Sequence, residues 1–439
     1  MLERVRRYFE FESHGTTFRR EIIGGITTFV TMAYIILVNP AILSAAGIPA
    51  GPSMVATILT ALFGTLLMGF YARRPFAIAP YMGENAFVAF TVVRMLGYSW
   101  QAALAAVFLA GVLFVLLTLG RVRQWLVEAI PFCLRISFAA GIGLFLTFVG
   151  LHQAGIVALG VPGAPVRLGH ITSAPVLVAL FGFAATVALM VLRVRGGILL
   201  GILAATVAAF SAGVAKAPRS WVSLPPSLAP VFWRLDFSAL WSVGFLAVVL
   251  TIFIMAFVDT MGTLIGVSAR AGLLDEQGRL PNMERPMLAD ALATAFSAAA
   301  GTTTAGAYIE SAAGVEAGGR TGFTAVVTAL LFLLALFFSP VATSIPPQAY
   351  GPALIVVGAL MLEPIARINF KDLTEVIPAF ATVSLMAFTF NIGVGMTAGF
   401  LLYPFCKVVA RKNREVRSGM WILAGCSLLF YVFYPYGSR

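Results

Sequence analysis

Apolar runs long enough to cross a bilayer recur from one end of the chain to the other, and they limit what it can fold into. The clearest are IIGGITTFVTMAYIILVNPAIL (22–43), SMVATILTALFGTLLMGFY (53–71), AALAAVFLAGVLFVLLTLG (102–120) and APVLVALFGFAATVALMVL (174–192). A helix needs about 20 apolar residues to span the hydrocarbon core, and helices satisfy their backbone groups without water. Only 11% of the residues are charged, well under the roughly 25% of a soluble domain. The chain therefore reads as an all-α polytopic membrane protein.

The first apolar run is too long for a cleavable signal, and it follows a basic amphiphilic leader, MLERVRRYFEFESHGTTFRRE. The net charge of +11 would suit a polyanionic partner if the basic residues were spread evenly. They are not. With the N-terminus in the cytoplasm, Arg4, Arg6, Arg7, Arg19, Arg20, Arg73, Arg74, Arg121, Arg123, Arg193, Arg195 and the run from Lys407 to Arg417 fall inside. The outer loops keep Arg94, Arg167, Lys216, Arg219 and Arg234. This is the positive-inside asymmetry, so the charge reports orientation in a cell (inner) membrane and not nucleic-acid binding.

The apolar spans are placed at 22–46, 53–71, 75–96, 99–120, 131–151, 173–192, 196–215, 243–268, 287–301, 302–317, 321–340, 347–366, 374–393 and 395–411. A further apolar piece, 419–434, is short for a crossing. The Pro- and Trp-rich connection 216–240 leaves seven spans on each side. An odd number per half forces any repeat to be inverted. Aligning YMGENAF (81–87) with AYIESAA (307–313) places Glu84 on Glu310, each in the third span of its half. Pro75 and Pro80 precede one, and Thr302, Thr303 and Thr304 precede the other. Both stretches disfavour regular helix, which predicts short extended pieces in spans 3 and 10. Interrupted spans at matching places point to a midplane site.

Glu310 is the leading candidate there. An acid at a helix centre costs about 3 kcal/mol on insertion scales, so a ligand role is the default, with capping of a helix from Ser311 as the plain alternative. Glu84 has capping or a Tyr81 contact as its alternative, and Asn85 has local backbone capping. Asp259, within LTIFIMAFVDTMGTLIGVSARAG (250–272), lies near mid-depth, with Thr263 one turn on along the same face. Structural pairing with a neighbouring helix is its competing reading. Gly262 and Gly266 make a small-xxx-small pair that predicts close approach of another element. Phe87 and Phe257 flank the acids and can stack on a flat ligand or face lipid. Tyr308 joins the candidate set. Glu316, Arg320, Arg270 and Asp290 read as boundary residues, solvated or paired at the inner surface. Arg135 snorkels or braces a helix end.

What is missing narrows the function. There is no Walker A motif, so ATP does not drive the chain directly. His14, His152 and His170 lie in the leader or outer loops, and Cys133, Cys406 and Cys426 lack paired spacing. No catalytic set, metal site or cofactor motif is readable.

Five stretches carry a family resemblance: FRREIIGGITTFVTMAYIILVNP, YMGENAFVAFT, FVDTMGTLIGV, TTTAGAYIESAAGVEAGGRTG and FNIGVGMTAGFLLYP. From about residue 17 to 415 the chain resembles the purine-permease branch of the nucleobase–cation symporter-2 (nucleobase–ascorbate transporter) family. The resemblance implies fourteen spans as a 7+7 inverted repeat, with spans 1–4 and 8–11 as a core domain and spans 5–7 and 12–14 as a gate. In residue terms this gives a leader (1–21), core (22–120), gate (121–215), outer linker (216–242), core (243–340), gate (341–411) and a terminal segment (412–439). It also implies that Asp259 and Glu310 bind the base, with Asn85 as the span-3 asparagine. Tyr81 and Glu84 depart from the Gly-Met-Gly-Leu-Asn pattern common in the branch. Thr263 stands where uracil-type relatives carry His, which leaves proton handling to the carboxylates.

The expected activity is import of hypoxanthine, guanine or adenine by proton symport, with the core sliding against the gate. The expected site is Asp259, Glu310, Asn85, Glu84, Phe87, Thr263 and Tyr308, with Glu310 and Asp259 coupling the proton. The expected partners are the purine base, the proton and the lipid bilayer, and a homodimer is compatible with the sequence. A sulfate-type anion carrier of the same fold and a channel stand as alternatives.

Overall fold

The computed structural model describes residues 2–432 apart from 121–129, 162–163, 219, 275–279 and 390. The expected boundary at 121 and the charges of Arg121, Arg123 and Arg219 lie outside the described residues, as does the side chain of Arg270. Among the described residues nine helices are long and apolar enough to cross a membrane. Shorter apolar helices stand at Gly197–Ser211, Leu373–Phe388 and Ser418–Leu428.

Polar caps fix where several of them begin. Ser99 accepts from the Ala102 N–H at 3.1 Å, and Asn391 accepts from the Val394 N–H at 3.1 Å. Such caps satisfy donors that hydrocarbon would leave stranded. The first apolar run starts at Phe18, ahead of the expected 22. It splits into Phe18–Met32 and Ile35–Ser44, and Tyr34 stands at the junction. The connection 152–172 holds an antiparallel hairpin, β2 (Val157–Val161) with β3 (Ala164–Leu168).

The helices pack in two sets. Phe18–Met32, Ala50–Phe70, Trp100–Leu119, Val243–Ala271, Glu284–Ala300 and Gly322–Ala335 pack on one another. Phe132–Gln153, Ala174–Val191, Gly197–Ser211, Pro347–Leu360, Leu373–Phe388 and Ile392–Val409 form the second set. Close approach within the second set depends on glycine: a Cβ on Gly143 would lie 2.6 Å from the Gly358 carbonyl oxygen. Gly262 and Gly266 do not act this way. A Cβ on either meets nothing within 4 Å among the described residues, so that face of Val243–Ala271 borders open space.

The second set is tied together at one end by charge. Lys407, 2% exposed, donates to Glu415 at 2.6 Å and lies 3.9 Å from Asp372. The Thr374 hydroxyl, then Lys412, hold the Asp372 carboxyl well below the usual carboxylate range. This carboxylate also caps Leu373–Phe388 through the Thr374 N–H.

Candidate functional site

Two three-residue strands, β1 (Ile78–Pro80) and β4 (Ala305–Ala307), pack against Ala50–Phe70, Val243–Ala271 and Glu284–Ala300 of the first set and pair antiparallel with Ala79 opposite Gly306. They stand where the prolines and threonines forbid regular helix. The Tyr81 N–H donates to the Thr304 carbonyl at 3.0 Å, and the Tyr308 N–H donates to Ala77 at 2.9 Å, extending the ladder at both ends. Both strands are fully buried. Neighbouring side chains satisfy their outer edges. Thr65 Oγ1 accepts from the Ile78 N–H (2.9 Å) and donates to its carbonyl (3.1 Å). Thr294 Oγ1 does the same for Ala305, at 3.2 and 2.7 Å. Asp290 Oδ2 accepts from the Ala307 N–H at 3.0 Å. Irregular backbone at membrane depth survives only with such partners.

Helix resumes with one residue intervening after β1 and three after β4. Met82–Ala86 continues into the π-helical turns Phe87–Met95, a geometry frequent at functional sites. Ser311–Glu316 follows β4, and Glu310 is the residue immediately before it. Gly306 has no room for a side chain, because its Cβ would sit 2.3 Å from the Tyr81 hydroxyl. The Tyr81 and Tyr308 rings lie nearly parallel, 9° between planes and 6.2 Å between centroids. Tyr308 donates its hydroxyl proton to the Pro80 carbonyl.

Besides Asp290, three more acids gather around this crossing. Glu310, Glu84 and Asp259 all lie within electrostatic reach of the Tyr308 hydroxyl. Val243–Ala271, which carries Asp259, packs against Met82–Ala86, β4 and Ser311–Glu316. Asp259, Thr263 and Glu310 are partly accessible, and Asp259 shares its helix face with Gly262 and Gly266, which border open space. Glu310 accepts from the Tyr34 hydroxyl at 2.5 Å. Its neighbour Ile309 is 58% exposed.

The other candidates are buried. Glu84 is fully enclosed. Asn85 donates to Asn39 Oδ1, and Asn39 in turn donates to Thr57 (2.6 Å) and Thr302 (2.8 Å). Phe87 packs against the start of Ile392–Val409, where a Gly393 Cβ would be 3.1 Å from its ring. A Gly83 Cβ would likewise be 2.8 Å from Ile142. The 82–95 segment thus touches the second helix set with nothing between.

Sequence reasoning missed three of these residues. Asp290 is not at a boundary; it is fully buried and holds β4. An acid inside ADALATAF carries the same signal as Glu310, and only the placement of its span obscured this. Tyr34 and Asn39 act through partners far away in sequence, which no local pattern reveals. Tyr34→Phe removes a hydrogen bond to a carboxylate, worth about 1.5–3 kcal/mol. It is expected to lower the temperature at which the detergent-solubilised protein unfolds without lowering the amount of protein in the membrane, as read by thermal unfolding and immunoblot.

Residues 19–402 match the model of a permease family. The chain belongs to that family, the nucleobase–cation symporter-2 permeases. Full-length similarity supports this. A permease of Methanocaldococcus jannaschii is 45% identical to this one over 429 residues, covering 98% of each chain. A guanine/hypoxanthine permease of Bacillus subtilis is 43% identical over 440 residues, covering 98% of this permease and 100% of its own length. An adenine permease of Escherichia coli is 41% identical over 433 residues, covering 99% and 96%. Among solved structures, the transmembrane domain of a cyanobacterium bicarbonate transporter matches with TM-score 0.65 at 16% identity, covering 86% of this permease and 97% of that chain. SLC26A9 matches with TM-score 0.66 at 12% identity, covering 92% and 68%. At such identities the likeness is one of fold.

Proposed function

We propose that this permease imports purine nucleobases (guanine, hypoxanthine or adenine) by proton symport, with the base held between Asp259 and Glu310. What supports this reading is that two partly accessible acids flank the buried β1–β4 crossing, each within reach of Tyr308. A purine is flat and presents N–H donors along its edges, and carboxylates are acceptors that match them. A proton on either acid relieves the cost of burying charge, which links loading of the base to loading of the proton. Thr263, half-buried on the Asp259 face, adds a hydroxyl at the same wall. Asn85 and Phe87 shape the pocket from behind, and Tyr308 fixes the crossing beneath it.

The names of the 41–43% identical relatives support a purine substrate. In this reading the fourteen spans form a 7+7 inverted repeat. The first helix set is the core, the second is the gate, and the core moves past the gate as an elevator. The N-terminus lies in the cytoplasm, on the side of the basic clusters.

A second reading, an anion carrier, takes its support from the bicarbonate-transporter likeness of the fold. Two acids at the ligand would repel an anion, which favours the base. The test is uptake by the purified permease in liposomes under an inward proton gradient. Labelled hypoxanthine, guanine or adenine should accumulate, and a protonophore should abolish the accumulation. Bicarbonate or sulfate uptake without purine uptake would favour the anion carrier.

A further inference from the structure

Glu84 is a carboxyl group that no other residue's donor reaches. It is fully buried, and neither of its oxygens accepts a hydrogen bond from another described residue. Met82–Ala86, which carries Glu84, packs against Val243–Ala271, and the side chain there that interacts with Glu84 is the carboxyl of Asp259. Two carboxylates cannot bond to each other, because both are acceptors, and at contact distance their like charges repel strongly in a low dielectric. A proton placed between them turns the contact into an O–H···O bond, the arrangement of paired carboxyls sharing one proton. The other titratable groups here do not offer a substitute. Asp290 and Asp259 both lie near Tyr81, whose hydroxyl is 3.3 Å from Thr260, and Tyr308 is committed to Pro80. Among the described residues no Lys, Arg or His acts on either carboxyl.

We propose that Glu84 and Asp259 share a single proton across this contact, and that Glu84 is the proton store of the transport cycle and not a contact to the base. The proposal rests on the purine-symport reading. Glu84 is closed off from the open side, and Asp259 is partly accessible. Asp259 can therefore face the base while Glu84 stands behind it. When a base draws the Asp259 carboxylate toward its N–H edge, the proton settles on Glu84. When the base leaves, the pair re-forms and can release the proton. No bond other than the O–H bond is made or broken.

Two measurements test this on the full-length protein. The first is the infrared spectrum without ligand. The wild type should show the carbonyl stretch of a protonated carboxyl; Glu84→Gln should lose it, and Asp259→Asn should shift it, because the buried Glu84 keeps a proton but loses its partner. An unchanged band in either folded variant overturns the shared proton, whatever the transported ligand is. The second is isothermal titration with hypoxanthine in buffers of different ionisation enthalpy, which counts the protons exchanged on binding. Glu84→Gln should bind the base within about tenfold of wild type while its proton count changes from that of wild type. Loss of base binding by a variant that unfolds at the wild-type temperature makes Glu84 a ligand of the base and overturns the store. Failure of hypoxanthine, guanine and adenine to bind the wild type would instead contradict the purine reading, with the infrared result still deciding the pair.

Discussion

Asp259→Asn and Glu310→Gln are each expected to abolish proton-driven purine accumulation while leaving the permease folded in the membrane. Both replacements keep the shape of the side chain and remove its charge and its capacity to be protonated. A hydrogen bond to a charged group is worth about 1.5–3 kcal/mol, which corresponds to roughly 10- to 150-fold in affinity for each acid. In the proposed symport each acid also takes part in handling the proton, so its loss is expected to uncouple residual binding from accumulation. Glu310→Gln has a further consequence, because the Tyr34 hydroxyl, 2.5 Å from the carboxylate, keeps an acceptor in the amide oxygen. The fold around it should therefore survive. Gradient-driven uptake with and without a protonophore, beside equilibrium binding of the labelled base, measures both effects. Normal accumulation by either variant would remove that residue from the site.

The largest effect on stability is expected at Glu21. This fully buried carboxylate accepts from Thr16 Oγ1 at 2.7 Å, from the Arg320 N–H at 3.0 Å, and from the N–H and hydroxyl groups of Thr321 and Thr324 at 2.6–3.3 Å. It joins the first turn of Phe18–Met32 to the start of Gly322–Ala335, where unpaired N–H groups favour a negative charge. Glu21→Ala strands these donors in the interior. Each buried donor left unpaired costs about 1–3 kcal/mol, and several are stranded together here. The expected result is a large drop in the temperature at which detergent-solubilised protein loses its monodisperse peak. Glu21→Gln should fall in between, since its amide brings a donor among donors. An unaltered unfolding temperature for the alanine variant would show that the cluster contributes nothing to stability.

Much of the site was legible in the sequence because it breaks a rule. Acids in apolar runs and helix-hostile stretches before them are exceptions in a chain where 60% of residues are hydrophobic. Pro75, Pro80 and Thr302–Thr304 therefore marked the strand crossing, and Asp259 and Glu310 marked the acids beside it. Features that satisfy polar groups over long range were not legible. Glu21 meets Thr321 and Thr324, Asn39 meets Thr302, and Asp290 meets Ala307 across a turn of backbone; each pairing is set by packing. The small-xxx-small spacing of Gly262 and Gly266 was misleading for a related reason. Spacing says that something can approach, and here the face borders open space beside Asp259.

The central claim is that one flat base is held between the Asp259 and Glu310 carboxyls beside the β1–β4 crossing. A density map of the full-length permease saturated with guanine or hypoxanthine tests it most directly. The account predicts a planar ligand with one edge within hydrogen-bonding distance of Asp259 and another facing Glu310. A ligand bound elsewhere, or one of these carboxyls turned toward the acyl chains, would contradict it.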